Sequence, residues 1–99
     1  MAALHRVTVT GPARAQFLSL VRSRLYAGQR PELSRAIRQA AQRLAHSPRS
    51  IGEPLYHLLA AKLEVRSITH ASLYIQYGVH ESEPLVIIRF VTSFRGQVE

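Results

Sequence analysis

The order of apolar and polar positions divides the chain into elements. Val7-Thr8-Val9 alternates and stops at Gly11-Pro12, which predicts a short strand. Pro12 suits the first turn of a helix, and Phe17, Leu18, Leu20, Val21 and Leu25 then recur at helical spacing until Gly28. Pro31 marks the start of a second helix, with Leu33, Ile37, Ala40, Ala41 and Leu44 as its apolar stripe and Ser47-Pro48 as its stop. Arg35, Arg38 and Arg43 fall off that stripe, where they are solvated or serve a partner. Residues 47–54 hold two prolines and Gly52 and predict a loop. Leu55 to Ala61 fits either a helical turn or the start of a strand. From Lys62 onward, three successive runs alternate with period two.

These runs predict an α+β fold in the order β-α-α-β-β-β, with two helices packed on one face of a mainly antiparallel four-stranded sheet. In the last run Val86, Ile88, Phe90, Thr92 and Phe94 share one face, and in the middle run Leu73, Ile75, Tyr77 and Val79 do. With Glu81-Ser82-Glu83-Pro84 as a hairpin loop, His80 faces Leu85. The pairs Val79–Val86, Tyr77–Ile88 and Ile75–Phe90 then join core to core, with Gln76 beside Arg89. Leu63 and Val65 are assigned to the same core face. The opposite face is then expected to carry Lys62, Glu64, Arg66, Tyr74, Gln76, Arg89, Ser93 and Arg95, joined by Arg6 and Thr8. Cations around a tyrosine suit a phosphate backbone and a stacked base. The plain alternative is the wet side of an antiparallel sheet.

Composition sharpens this reading. With 99 residues the chain is expected to be one domain over 1–99, large enough for a single core. It has no cysteine, so disulfides and thiolate metal sites are ruled out. Its longest apolar runs are far too short to span a bilayer, and Met1 to Thr10 lacks the apolar stretch of a signal peptide. A cytoplasmic protein without membrane association is expected. The 13 Lys+Arg against 6 Asp+Glu give a net charge of +7, and every cation but Lys62 is an arginine. That excess suits a polyanion or an acidic protein, and a solubilising surface accounts for it equally well.

Motifs for other chemistry are lacking. His5, His46, His57, His70 and His80 lie in unrelated elements without metal-ligand spacing, so neither a metal nor another cofactor is expected. Nucleotide-binding glycine loops and the serine-esterase elbow are absent from the sequence.

The order strand, two helices and three closing strands resembles the RelE/ParE superfamily of bacterial toxins, which includes plasmid-stabilisation proteins. The segment from His5 through Pro12 to Ala13 is similar to its opening strand and first helix start. His46-Ser47-Pro48-Arg49-Ser50-Ile51-Gly52-Glu53-Pro54-Leu55 resembles its linker of the form D-P-x-x-x-G-x-P-L. Leu63 to Arg66, Leu73 to Val79 and Val86 to Val91 resemble its closing strands. The resemblance implies the toxin of a type II toxin–antitoxin pair, with a small acidic antitoxin as partner and mRNA on the ribosome, or gyrase, as target. Its ribosome-dependent RNases use lysines and arginines on the central strands. Carried over to this chain, the catalytic cations are Lys62, Arg66 and Arg95, and an active RNase is expected to bring Tyr74 or His70 close enough to them to move a proton. The nucleic-acid contacts are Arg6, Lys62, Arg66, Gln76, Arg89 and Arg95. Against the resemblance the set is incomplete: Glu64 replaces a cation, Tyr74 stands where another arginine is expected, and the sequence reaches Glu99 before a terminal tyrosine could follow. On the same fold, a non-enzymatic module binding nucleic acid or an acidic protein is the alternative.

Overall fold

The start signals of both helices and the stop of the second act as the sequence suggests, whereas the first helix ends at Arg22 rather than at Gly28. The computed structural model describes residues 4–93, and of Leu25 the backbone alone. Strand β1 (Arg6–Val9) leads into helix α1 (Gly11–Arg22), where Thr10 Oγ1 accepts the Ala13 amide at 3.2 Å. This satisfies one orphan donor of the first turn, and Pro12 there has no N–H to leave unpaired. A short 3-10 turn over Arg24–Tyr26 replaces the expected end of the first helix. Helix α2 runs over Arg30–His46, with Pro31 in its first turn. Among the described residues no helix is long and apolar enough to cross a membrane.

The sheet has five strands rather than four. Strands β2 (Glu53–Leu58), β3 (Leu63–His70), β4 (Leu73–His80) and β5 (Leu85–Ser93) form an antiparallel meander, and β1 pairs parallel to β5. The order across the sheet is β1-β5-β4-β3-β2. The added strand, β2, takes in Leu55 to Leu58 from the ambiguous segment Leu55 to Ala61, together with Glu53 and Pro54 from the expected loop. Almost every residue of β2 is exposed, so it has no apolar alternation to announce it. Pairing of β1 ends at Val9↔Ile88, and beyond it Gln16 Oε1 accepts the Val91 amide at 3.0 Å. Helix α1 thus finishes the edge that the short strand leaves open.

The core lies between the helices and one face of the sheet. Ala13, Leu33, Ala36, Ala40 and Leu44 meet Ile68, Leu73, Ile75, Tyr77, Val79, Val86, Ile88 and Val91, with Phe17, Leu20, Val21 and Ile37 half-buried around them. Tyr26 is also in this core, and its hydroxyl bonds to Ser93 and lies 3.3 Å from Ser72 Oγ. The loop after α2 closes one end of the core. Gly52 has φ +73, and a Cβ there would stand 2.3 Å from the Ser67 carbonyl oxygen, so the linker glycine is required by both conformation and space. Tyr77 Oη donates to this loop, with the Pro48 carbonyl at 2.8 Å and that of Ile51 at 3.0 Å. Burial raises the Tyr77 pKa above its ordinary value, which keeps the phenol a donor.

Two register features revise the expected faces. Tyr77↔Ile88 and Val79↔Val86 pair as expected, but Gln76 pairs with Phe90 and Ile75 with Val91. Arg89 is therefore an extra residue on β5, and this bulge turns Phe90 to the face away from the helices and Val91 and Ser93 toward them. The second revision is on β3. There Arg66 pairs with Tyr77 and Ile68 with Ile75, so Glu64, Arg66, Ile68 and His70 share the helix-side face. Leu63 and Val65 lie on the opposite face, opposite His80 and Gly78. They are nonetheless buried, at 5% and 0% exposure. Leu63 lies close over Gly78, where a Cβ would be 3.0 Å from its Cδ1.

Candidate nucleic-acid interface

The face away from the helices gathers part of the expected site. Tyr74 and Gln76 on β4 stand on it beside Phe90 and Arg89 of β5 and Tyr56 of β2, with Arg6 and Thr8 of β1 at its far edge. Gln76 Nε2 donates to Tyr74 Oη at 3.1 Å, which fixes the amide and the phenol as a unit. The rings of Tyr74 and Phe90 meet edge to face, 6.3 Å between centroids and 71° between planes. Arg89 Nη1 donates to Tyr56 Oη at 3.4 Å across the sheet. The bulge sets this arrangement, because it places Arg89 and Phe90 on one side in succession. Aromatic faces, a guanidinium and an amide on a partly open sheet offer stacking and phosphate contacts together.

Other expected members are elsewhere. Lys62 precedes β3 in the turn from β2, with φ 57, and its carbonyl accepts the Glu81 amide at 2.9 Å. Arg66 is on the helix side, 8% exposed. Its Nη1 donates to Glu64 Oε1 at 3.3 Å and its Nη2 to the Ile51 carbonyl at 3.2 Å and that of Gly52 at 3.4 Å. This guanidinium pins the 47–52 loop to the sheet, on the side opposite Tyr74. Arg95 lies outside the described residues.

The open face also holds residues that the sequence reading missed. The apolar alternation of the last strand predicts Phe90 in the core, and Tyr56 lies in a segment that fits a helical turn and a strand alike. A visible signal for Tyr56 was Pro54-Leu55-Tyr56, an aromatic beside a proline tolerated at a sheet edge. Nothing in the sequence marks the bulge that moves Phe90.

The histidines take separate parts. His80 Nδ1 accepts the amides of Ser82 and Glu83 at 3.2 and 3.1 Å, so it closes the β4–β5 turn. Arg43 Nη1 lies 3.0 Å from His70 Nδ1, and Gln39 Oε1 lies 3.3 Å from His70 Nε2. Arginine can only donate, so Nδ1 carries the lone pair and Nε2–H donates to Gln39. Burial, and after it the Arg43 charge, lower the His70 pKa below its ordinary value. His57 Nε2 is 4.0 Å from Glu64 Oε2 on the helix-side face. Among the described residues no three His, Asp or Glu side chains gather into a metal-sized group.

No protein-family profile and no curated protein matches the sequence. Solved structures do match. The toxin–antitoxin complex RelBE2 from Mycobacterium tuberculosis has a chain similar at TM-score 0.70 and 20% identity, over 94% of each chain. The chain has a RelE-like fold. The archaeal RelE–RelB complex from Pyrococcus horikoshii OT3 gives the same result at TM-score 0.64 and 15% identity, over 96% of this chain and 99% of its own. The RelE-like architecture accommodates the five-stranded sheet and both helices, so the extra strand is a matter of detail within it. At such identities the similarity establishes how the chain is folded.

Proposed function

We propose that this RelE-like protein is the toxin-like member of a type II toxin–antitoxin pair, held in check by a small acidic antitoxin and acting on RNA at the ribosome through its open sheet face. The similarity to chains of two such complexes over at least 94% of their length carries this reading. The chemistry of the face supports it: Tyr74 and Phe90 offer rings to bases, and Arg89 and Arg6 offer guanidinium groups to phosphate. The net charge of +7 complements both RNA and an acidic antitoxin.

One observation favours binding over cutting on this fold. Arg66 is committed to Glu64 and to the carbonyls of Ile51 and Gly52, on the face opposite Tyr74. It cannot converge with Tyr74 on one phosphate, and losing a preorganised cation removes stabilisation of the transition state. The protein therefore binds RNA with weak cleavage or none. Induced expression in a bacterium, followed by translation and gyrase assays on the purified protein, tests the reading. Growth arrest with inhibited translation, relieved by a small acidic protein encoded beside it, is the expected outcome. Inhibited supercoiling with normal translation would assign gyrase as target, and unaffected growth and translation would overturn the reading.

A further inference from the structure

We propose that a single RNA strand held on the open face crosses the free edge of β3 and continues along α2, over Arg43, Gln39, Gln42 and Arg38. The inference rests on the RNA reading above and adds a path to it. Pairing between β2 and β3 begins at Glu53↔Ser67, so Ile68, Thr69 and His70 have no strand on their outer side among the described residues. A groove opens there, lined by Arg43, Glu53, Ser67, Ile68, Thr69 and Tyr74. Tyr74 belongs to the open face and Arg43 to α2, so this groove joins the two layers around the sheet edge. A second groove, lined by Gln39, Gln42, Arg43, His46, Ser47 and Ile51, shares Arg43 with the first.

The helix continues the track. Arg35, Arg38, Gln39, Gln42, Arg43 and His46 recur at steps of three and one, which keeps them on one side of α2, and all six are exposed. No carboxylate lies between Arg35 and His46. The sole acidic side chain of α2 is Glu32 in its first turn, and Glu53 is the sole acidic member of the rim groove. Arg43 is held by its bond to His70 Nδ1, and His70 by Gln39, so its guanidinium gives up less freedom on meeting a phosphate. A stripe of guanidinium and amide groups without alternating charge is complementary to a phosphate–sugar backbone. Its continuity with Tyr74 favours RNA over an acidic peptide, which has no use for the stacking end of the path.

The test compares labelled oligouridylates of about 4 and about 12 nucleotides, spanning the lengths that such surfaces cover, in titrations at several salt concentrations. For the wild type, the long strand should show the steeper loss of affinity with salt, by about 0.7 in logarithmic slope for each added phosphate contact. Arg38→Gln and Arg43→Gln should each remove about one such contact for the long strand and leave the short one unchanged. Equal slopes at both lengths, or variants indistinguishable from wild type on the long strand, would overturn the path while sparing the sheet-face reading. Failure of the wild type to bind either strand would overturn both. A polyglutamate peptide whose binding depends on Arg38 and Arg43, when that of the long strand does not, would assign the stripe to an acidic protein and overturn the RNA path.

Discussion

Arg66 and Arg89 are arginines on neighbouring parts of one sheet, and they lead opposite lives. Arg66, on the helix side, is almost wholly buried and spends its donors on Glu64 and two carbonyls of the loop after α2. Arg89, at the bulge of β5, is half-buried on the open face and, among the described residues, reaches a tyrosine hydroxyl at 3.4 Å. The first holds the linker against the sheet; the second remains available to a ligand. A residue type that suits phosphate chemistry becomes scaffold when backbone carbonyls surround it, and which fate applies depends on a one-residue change of strand phase.

The contrast between the two faces is sharpest at adjacent residues of β5. Ile88 is 1% exposed in the core, while Ile87 faces away from the helices and is half-buried. Ile88→Ala should cost about 2–5 kcal/mol in chemical denaturation, as a truncation inside close packing. Ile87→Ala should cost clearly less, and equal losses would mean that the faces have been assigned wrongly. Next in size is the pair of arginines. Arg66→Ala removes the donor to the Gly52 carbonyl and the partner of Glu64, and leaves the Ile51 carbonyl with Tyr77 Oη alone, at a cost of about 3 kcal/mol. Arg89→Ala should stay within about 0.5 kcal/mol of wild type, as a surface change. A larger loss for Arg89 than for Arg66 would reverse the comparison.

The smallest effect is one of pH. His70 has its folded pKa lowered from 6.5, by burial first and by Arg43 second. The unfolded chain therefore binds the proton more readily, so stability from His70 is complete above about pH 6.5 and is lost as pH falls through its folded value. Thermal unfolding followed from pH 8 to 5 should show this decline, and His70→Gln should flatten it. The two should have parallel profiles if the imidazole is already charged in the folded state.

The same elements show what the sequence made legible. The β4–β5 hairpin was readable as far as Tyr77–Ile88, because Glu81 to Pro84 forms a polar loop and apolar residues pair across it. Beyond that, the bulge at Arg89 carries no mark such as glycine, so Phe90 was placed in the core and the face lost an aromatic. On β3 the alternation of Leu63 and Val65 was real but belonged to the other face, since the sheet is apolar there as well, beside Leu85 and Ile87. A rule that one face is wet fails when both are partly covered. The strand β2 was unreadable for the opposite reason: an edge strand that buries almost nothing shows no pattern. Tyr74, Gln76 and Arg6 stand on the expected face because their strands hold phase there, and Arg89 stands on it as the extra residue of the bulge, where it meets Tyr56.

The proposed RNA interface is the face away from the helices, built around Tyr74 and Arg89. Fluorescence anisotropy of a labelled oligouridylate tests it most directly, with wild type compared to the double variant Tyr74→Ala, Arg89→Ala and with thermal unfolding recorded for both. Loss of one stacking ring and one phosphate contact should weaken binding at least about tenfold, a change of about 1.4 kcal/mol, while the folded state survives. Unchanged affinity in a folded double variant would contradict the account and move the interface elsewhere on the molecule.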